Sequence, residues 1–100
     1  MEKNKIRIST DVYTQLEEIF WYIGIEKRSP EKAFEQTNRI WKAIRSLSTL
    51  PKSHALWKGG KTSSNEYRQL IIDQFLVIFT VDEENKQVFV FCIYHQKQNR

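Results

Sequence analysis

Phe75-Leu76-Val77-Ile78-Phe79-Thr80-Val81, then Asp82-Glu83-Glu84-Asn85, then Gln87-Val88-Phe89-Val90-Phe91-Cys92-Ile93-Tyr94 is the stretch on which the fold turns. Two runs rich in β-branched and aromatic residues flank a short acidic turn, the composition of two strands joined as a hairpin. Tyr67 to Ile72 is a third such run, set off from Phe75 by the polar pair Asp73-Gln74. Three strands in close succession with short connections predict an antiparallel meander. The last two are apolar at successive positions, so both faces of the sheet need cover.

Upstream the period changes. Val12, Leu16, Ile19, Phe20 and Ile23 fall at helical spacing, after Ser9, Thr10 and Asp11, each able to cap a helix start. A polar connector, Glu26-Lys27-Arg28, leads to a second helix with Ser29 as N-cap, Pro30 at its first position and Glu31 facing the positive end of its dipole. Its apolar stripe reads Phe34, Thr37, Ile40, Trp41, Ile44 and Leu47, until Pro51 stops it. The short connector predicts a helical hairpin. At the start, Ile6 and Ile8 alternate with Lys5, Arg7 and Ser9, a short strand with one apolar face.

The order is β-α-α-β-β-β, an α+β domain with a helical pair on one face of the sheet. Two helices cover only one face. Either the first strand and the loop of residues 51–66 fold over the other, or an apolar groove stays open as a partner site. That loop has no period, contains Gly59-Gly60, and is long for a compact domain, a property often associated with function.

The chain has 100 residues, the length of a single domain spanning 1–100. Hydrophobic residues make up 40%, too many for a disordered chain. Cys92 is the one cysteine, which rules out an intrachain disulfide and reads as a buried thiol. The start is charged and lacks a long apolar region, and no apolar stretch is long enough to span a bilayer, so a cytoplasmic protein without membrane contact is expected. A net charge of +4 favours anionic partners without choosing among them.

Four features bear on chemistry. His95 ends the last strand, next to Tyr94; a strand-end histidine either moves protons or is simply surface. Arg68 alternates with Leu70 and Ile72, where a guanidinium either clamps phosphate or pairs with a carboxylate of the chain itself. Lys52, Lys58 and Lys61 are interleaved with His54 and Trp57, a pattern that suits single-stranded RNA if the ring is free to stack and a solvated loop if Trp57 is tucked into the core. Arg39, Lys42 and Arg45 recur along the polar face of the second helix, either a solubilising face or a site for an acidic partner or ribosomal RNA. Two histidines and one cysteine far apart make no metal site, and Gly59-Gly60 lacks the rest of a phosphate loop, so neither metal nor cofactor is expected. Metal-free attack of an RNA 2′-hydroxyl on its own phosphate needs a proton acceptor, a proton donor and a cation. His95, Glu66, Arg68 and the loop lysines have those chemistries.

Several motifs in order resemble the RelE/ParE superfamily of toxins. They are Ser29-Pro30-Glu31-Lys32-Ala33 opening the second helix, Leu47-Ser48-Thr49-Leu50-Pro51 closing it, and Glu66-Tyr67-Arg68-Gln69-Leu70 entering the meander. Val81-Asp82-Glu83-Glu84-Asn85 at the hairpin and Ile93-Tyr94-His95-Gln96-Lys97-Gln98-Asn99 at the end complete the set. The resemblance implies the toxin of a type II toxin–antitoxin pair, masked by a cognate antitoxin. Two mechanisms occur within that fold, cleavage of mRNA in the ribosomal A site and poisoning of DNA gyrase. In RNA-cutting members the arginine of the Tyr-Arg pair and a histidine or tyrosine at the end of the last strand act on the phosphate, which by resemblance implicates Arg68, His95 and Tyr94. The expectation is a ribosome-dependent mRNA endonuclease, with Arg39, Lys42 and Arg45 toward the antitoxin. Its alternatives are a gyrase inhibitor and a non-catalytic binding module.

Overall fold

The computed structural model of the chain describes residues 3–57 and 66–96. Strand β1 is Lys5–Ile8, helix α1 Thr10–Glu26, helix α2 Pro30–Arg45, and strands β2, β3 and β4 are Arg68–Ile72, Phe75–Asp82 and Gln87–His95. Single 3-10 turns lie at Ser46–Ser48 and Pro51–Ser53. The helices pack on one face of a mixed sheet with strand order β1-β4-β3-β2, the α+β arrangement expected from the sequence. Among the described residues no helix is long and apolar enough to cross a membrane.

β1 does not fold over the second sheet face. It joins the edge of the sheet parallel to β4, with Ile6 opposite Val88 and Ile8 opposite Val90. Its apolar face therefore extends the layer already under the helices. Val12, Leu16, Ile40, Ile44 and Leu47 meet Leu70, Phe75, Val77, Phe79, Val88 and Val90 there in one buried core.

Ser29 caps α2 as its position predicts, its hydroxyl accepting the Lys32 N–H at 3.2 Å. Ser9 stands at the N-cap of α1 but does not cap it. Its hydroxyl instead donates to the Phe91 carbonyl at 2.7 Å. The reason lies in β4, where Val90 faces Phe79 and Cys92 faces Ile78, so Phe91 is an extra residue in a β-bulge. A bulge leaves ladder groups without strand partners, and buried ones must find others. Ser9 satisfies the Phe91 carbonyl, and the Ile93 N–H donates to Gln15 Oε1 at 2.7 Å.

α2 ends at Arg45, ahead of the proline expected to stop it. The Ser46 hydroxyl donates back to the Ala43 carbonyl at 2.6 Å, competing with the helical bond there, and the chain tightens into a 3-10 turn that keeps Leu47 buried. The helical stripe is also rotated from its expected position. Ala33, Thr37, Ile40 and Ile44 face the core, whereas Phe34 is 60% exposed and Trp41 only half-buried. At Gly24 the two helices approach closely enough that an added Cβ would touch the Ala33 methyl at 3.8 Å, so the small residue carries the contact and Phe34 is turned outward.

Candidate functional site

His95 and Arg68 both lie on the helix side of the sheet, yet at opposite ends of β3. Arg68 pairs with Phe79 and His95 with Phe75. Four residues of strand between those positions amount to roughly 13 Å along β3 alone, with two strand spacings added across the sheet.

Arg68 is occupied at its own end. Its guanidinium donates to the His54 carbonyl at 2.7 Å and lies 3.6 Å from the Glu66 carboxylate, and its side chain is 14% exposed. Of the two alternatives for this arginine, the described residues show the intramolecular pairing. The bond fastens the loop after α2 to the sheet, and two backbone bonds continue the fastening, Gln69 N–H to the Ala55 carbonyl and Trp57 N–H to the Tyr67 carbonyl. The His54 ring meets Phe79 edge-on at 5.9 Å. Lys52 pairs with Glu83 at 3.1 Å. Lys58 and Lys61 lie outside the described residues.

His95 lies at a cleft of about 290 Å³ between α1 and the ends of β3 and β4, lined by Gln15, Glu18, Tyr22 and Phe75 among others. Its ring packs edge-on against Phe75 at 4.9 Å and faces Tyr22 at 6.2 Å. The Tyr22 hydroxyl donates to the Glu26 carboxylate at 3.0 Å, and that bond, with the carboxylate's charge, pushes the phenol above its ordinary pKa. Glu18 lines this cleft, and Glu26 lines the adjoining one beside Lys27 and Arg39, the last held by Asp73 through two bonds of 2.8 Å. Tyr94 is held above its ordinary pKa by its hydrogen bond with Cys92, by the thiol's charge when ionised, and by burial, so its phenol is a proton donor at neutral pH.

The second sheet face carries something the sequence left open. Trp57 stacks on Tyr94 at 6.0 Å and meets Tyr67 edge-on at 6.2 Å, Tyr67 meets Phe91 at 5.3 Å, and Phe91 stacks on Phe89 at 4.6 Å. These five rings form a continuous aromatic layer over Ile78, which is 1% exposed. The cover is partial. Phe89 is 41% exposed, Ile71 57% and Leu56 46%, leaving an apolar margin toward solvent. Both alternatives for this face therefore hold in part: the loop supplies Trp57 to cover it, and an apolar surface remains. The alternation of Tyr67, Phe89 and Phe91 was the available sequence signal, but only the register unites them with Trp57.

Asp73 also escaped the sequence reading, where it was only a break between strands. It holds a left-handed backbone with φ 56° in the β2–β3 turn, and its carboxylate accepts from Arg39 and from Gln36. Those bonds, that from Arg39 foremost, hold its carboxyl below the ordinary value. A depressed carboxylate stabilises the fold above its unfolded pKa of about 3.9 and loses that contribution as pH falls through the folded value. Asp73→Asn is thus expected to lower the urea midpoint at neutral pH, with the gap from wild type closing below about pH 4. An equal gap at pH 7 and pH 3 would show that charge is not its source.

Residues 6–100 match the sequence model of a family described as the ParE toxin of the type II toxin–antitoxin system parDE. No curated protein matches the chain significantly. Among solved structures, the fold is similar to the chromosomal ParDE toxin–antitoxin system from P. aeruginosa, with a TM-score of 0.74, 17% identity, and coverage of 92% of this chain and 95% of that one. It is also similar to the archaeal RelE–RelB complex from Pyrococcus horikoshii OT3, at TM-score 0.63 and 14% identity over 93% of this chain and 94% of that one. The RelBE2 toxin–antitoxin complex from Mycobacterium tuberculosis gives TM-score 0.62 and 12% identity, covering 93% and 98% of the two chains.

Proposed function

Because the chain belongs to the ParE toxin family of type II toxin–antitoxin systems, we propose that it acts by binding rather than by cutting, as a poison of DNA gyrase restrained by a cognate antitoxin. The observation that supports this reading is the separation of Arg68 from His95. Cleavage of RNA without a metal asks a proton-transfer group and a cation to meet on one phosphate. Here the arginine is bound to the His54 carbonyl at one end of β3, and the histidine stands at a cleft beside Glu18 and Tyr22 at the other. The antitoxin, in the same reading, covers the apolar margin of the aromatic sheet face with an amphipathic segment whose acidic residues suit a chain of net charge +4.

Ribosome-dependent cleavage of mRNA remains a second reading because of one observation: His95 lies at a cleft, next to a protonated phenol at Tyr94. Induction in cells separates the two. The gyrase reading expects double-strand DNA breaks with intact mRNA, and toxicity that survives His95→Gln. An RNA-cutting site expects coding-region mRNA ends and a loss of about 10²–10⁴ in cleavage with the same substitution. Mapped cuts in mRNA without DNA damage would reverse the proposal.

A further inference from the structure

The bulge at Phe91 sits in a strand whose two faces are both apolar. From Val88 to Tyr94 every side chain of β4 is apolar or aromatic, so the pattern of residues does little to fix which of them turn inward. In the structure Ile93 and His95 stand opposite Val77 and Phe75 on the helix side, while Cys92 and Tyr94 stand opposite Ile78 and Leu76 on the aromatic side. One alternative register absorbs the surplus residue. In it Phe91 pairs with Ile78, Cys92 with Val77, Ile93 with Leu76 and Tyr94 with Phe75.

Each side chain that moves has a suitable place in that register. Cys92, of intermediate exposure, takes the position of Ile93 under α1, and cysteine is among the residues most often buried. Ile93 moves beside the aromatic layer. Tyr94 enters the cleft next to Tyr22 and Phe75, where about 290 Å³ of open space accommodates a ring larger than imidazole. Phe89 and Phe91 stay stacked on the face they already occupy. The backbone groups also keep partners. The Phe91 carbonyl and the Ile93 N–H, held by the Ser9 hydroxyl and Gln15 Oε1 in the bulge, return to the ladder with β3. The Cys92 groups turn outward in their place, toward a hydroxyl and an amide that can each donate and accept. What the slip gives up is the Gln96 N–H bond to the Gln74 carbonyl, the burial of Ile93 and the stack of Tyr94 on Trp57.

We propose that the end of β4 is a two-position switch, moving by one residue between the bulged register and the flat one, with Trp57 as its lock. In the bulged position the His95 imidazole stands at the cleft, and Tyr94 supports Trp57 on the far side of the sheet. In the flat position Tyr94 fills the cleft and Trp57 loses its platform. One strand thereby couples the cleft to the aromatic face. A partner that presses Trp57 onto Tyr94 keeps the imidazole at the cleft, and release of that face lets the phenol replace it. The contacts given up make the flat register the minor one, on the order of 0.1–10% of molecules. The inference goes beyond the gyrase reading and does not depend on it.

Relaxation-dispersion NMR on the full chain, made by cell-free synthesis, tests it. Exchange on the micro- to millisecond scale is expected in residues 91–96, in residues 74–78 opposite them and at the Trp57 indole, all at one common rate. Deleting Phe91 removes the surplus residue and should abolish that exchange, with His95 still at the cleft. Cys92→Ile combined with Ile93→Thr puts the better core residue at the inward position of the flat register. In that double variant the Tyr94 ring should gain cross-peaks to Tyr22 and Phe75 and lose those to Trp57. A wild type without shared exchange at these sites overturns the proposal, as does a folded double variant whose Tyr94 stays on Trp57. Exchange that persists unchanged after the deletion assigns the motion to fraying of the strand end and overturns it equally. If the double variant does not fold, the wild type and the deletion still decide.

Discussion

Phe89→Asp is expected to free the toxin from its antitoxin, raising the dissociation constant on the order of 10²-fold and ending neutralisation in cells. Phe89 is 41% exposed, stacks on Phe91 at the rim of the aromatic layer, and lies beside solvent rather than over the core. Aspartate there removes a ring able to act as an anchor and places a charge where an acidic segment would have to approach. The isolated toxin should melt somewhat lower, since more than half of the ring is covered and it stacks on Phe91, so binding is compared at a temperature where circular dichroism shows both toxins folded. The wild-type toxin should melt markedly higher with antitoxin present, through linkage of binding to folding, and the variant should lose most of that rise. Paired melting curves and a binding isotherm at low and high salt check this. A Phe89→Asp toxin bound as tightly as wild type would remove the sheet face from the antitoxin interface.

The largest effect on stability is expected from Phe79→Ala. Phe79 is fully buried at the centre of β3, opposite Arg68 on one side and Val90 on the other, and the His54 ring packs edge-on against it. Removing a buried phenyl ring costs about 3–5 kcal/mol through lost burial and the cavity left behind. That is a large share of the ~5–15 kcal/mol that holds a small domain together. Urea unfolding should register it as a shift in midpoint with little change in slope. Because His54 and Arg68 fasten the loop at this position, protease cutting in residues 51–66 should rise in step. A cost below about 1.5 kcal/mol would mean the core closes over the gap.

The sequence showed the element order because each element carries its own period and punctuation. Ser29-Pro30 opens α2 where it should, and the polar pair Asp73-Gln74 divides β2 from β3. What it could not show was which side chains share a face. The stripe assigned to α2 included Phe34, since an apolar residue at helical spacing looks the same whether it points inward or sideways. Ala33, next to Gly24 across the helix pair, holds the inward position instead. The place of β1 was also illegible, because parallel pairing with a strand some eighty residues later leaves no local mark.

The candidate site divides the same way. Residue types named the chemistry of Arg68, His95 and Tyr94, but distance between them is a property of register. Arg39 read as an outward cation until the turn at Asp73 brought its carboxylate across 34 residues of sequence. Lys52, His54 and Trp57 read as a loop offered to RNA, and each is engaged within the chain, with Glu83, Phe79 and Tyr94 respectively.

The bulge at Phe91 has a consequence for how chains of this plan can diverge. Before it, Val88 and Val90 face the helices; after it, Ile93 and His95 do, and Phe91, Cys92 and Tyr94 do not. An unbroken strand would invert that choice, turning Cys92 and Tyr94 inward and sending His95 to the aromatic side. Which ionisable group occupies the cleft is therefore decided by a single surplus residue, held by Ser9 and Gln15, rather than by the identity of the last strand's side chains. Flattening the bulge with every residue kept, a slip of one position in the end of β4, would exchange an imidazole for a phenol in one step with no codon for either being altered. A lineage with this strand can change the cleft's chemistry by slippage, and relatives aligned without the bulge would have their cleft residues misassigned by one position.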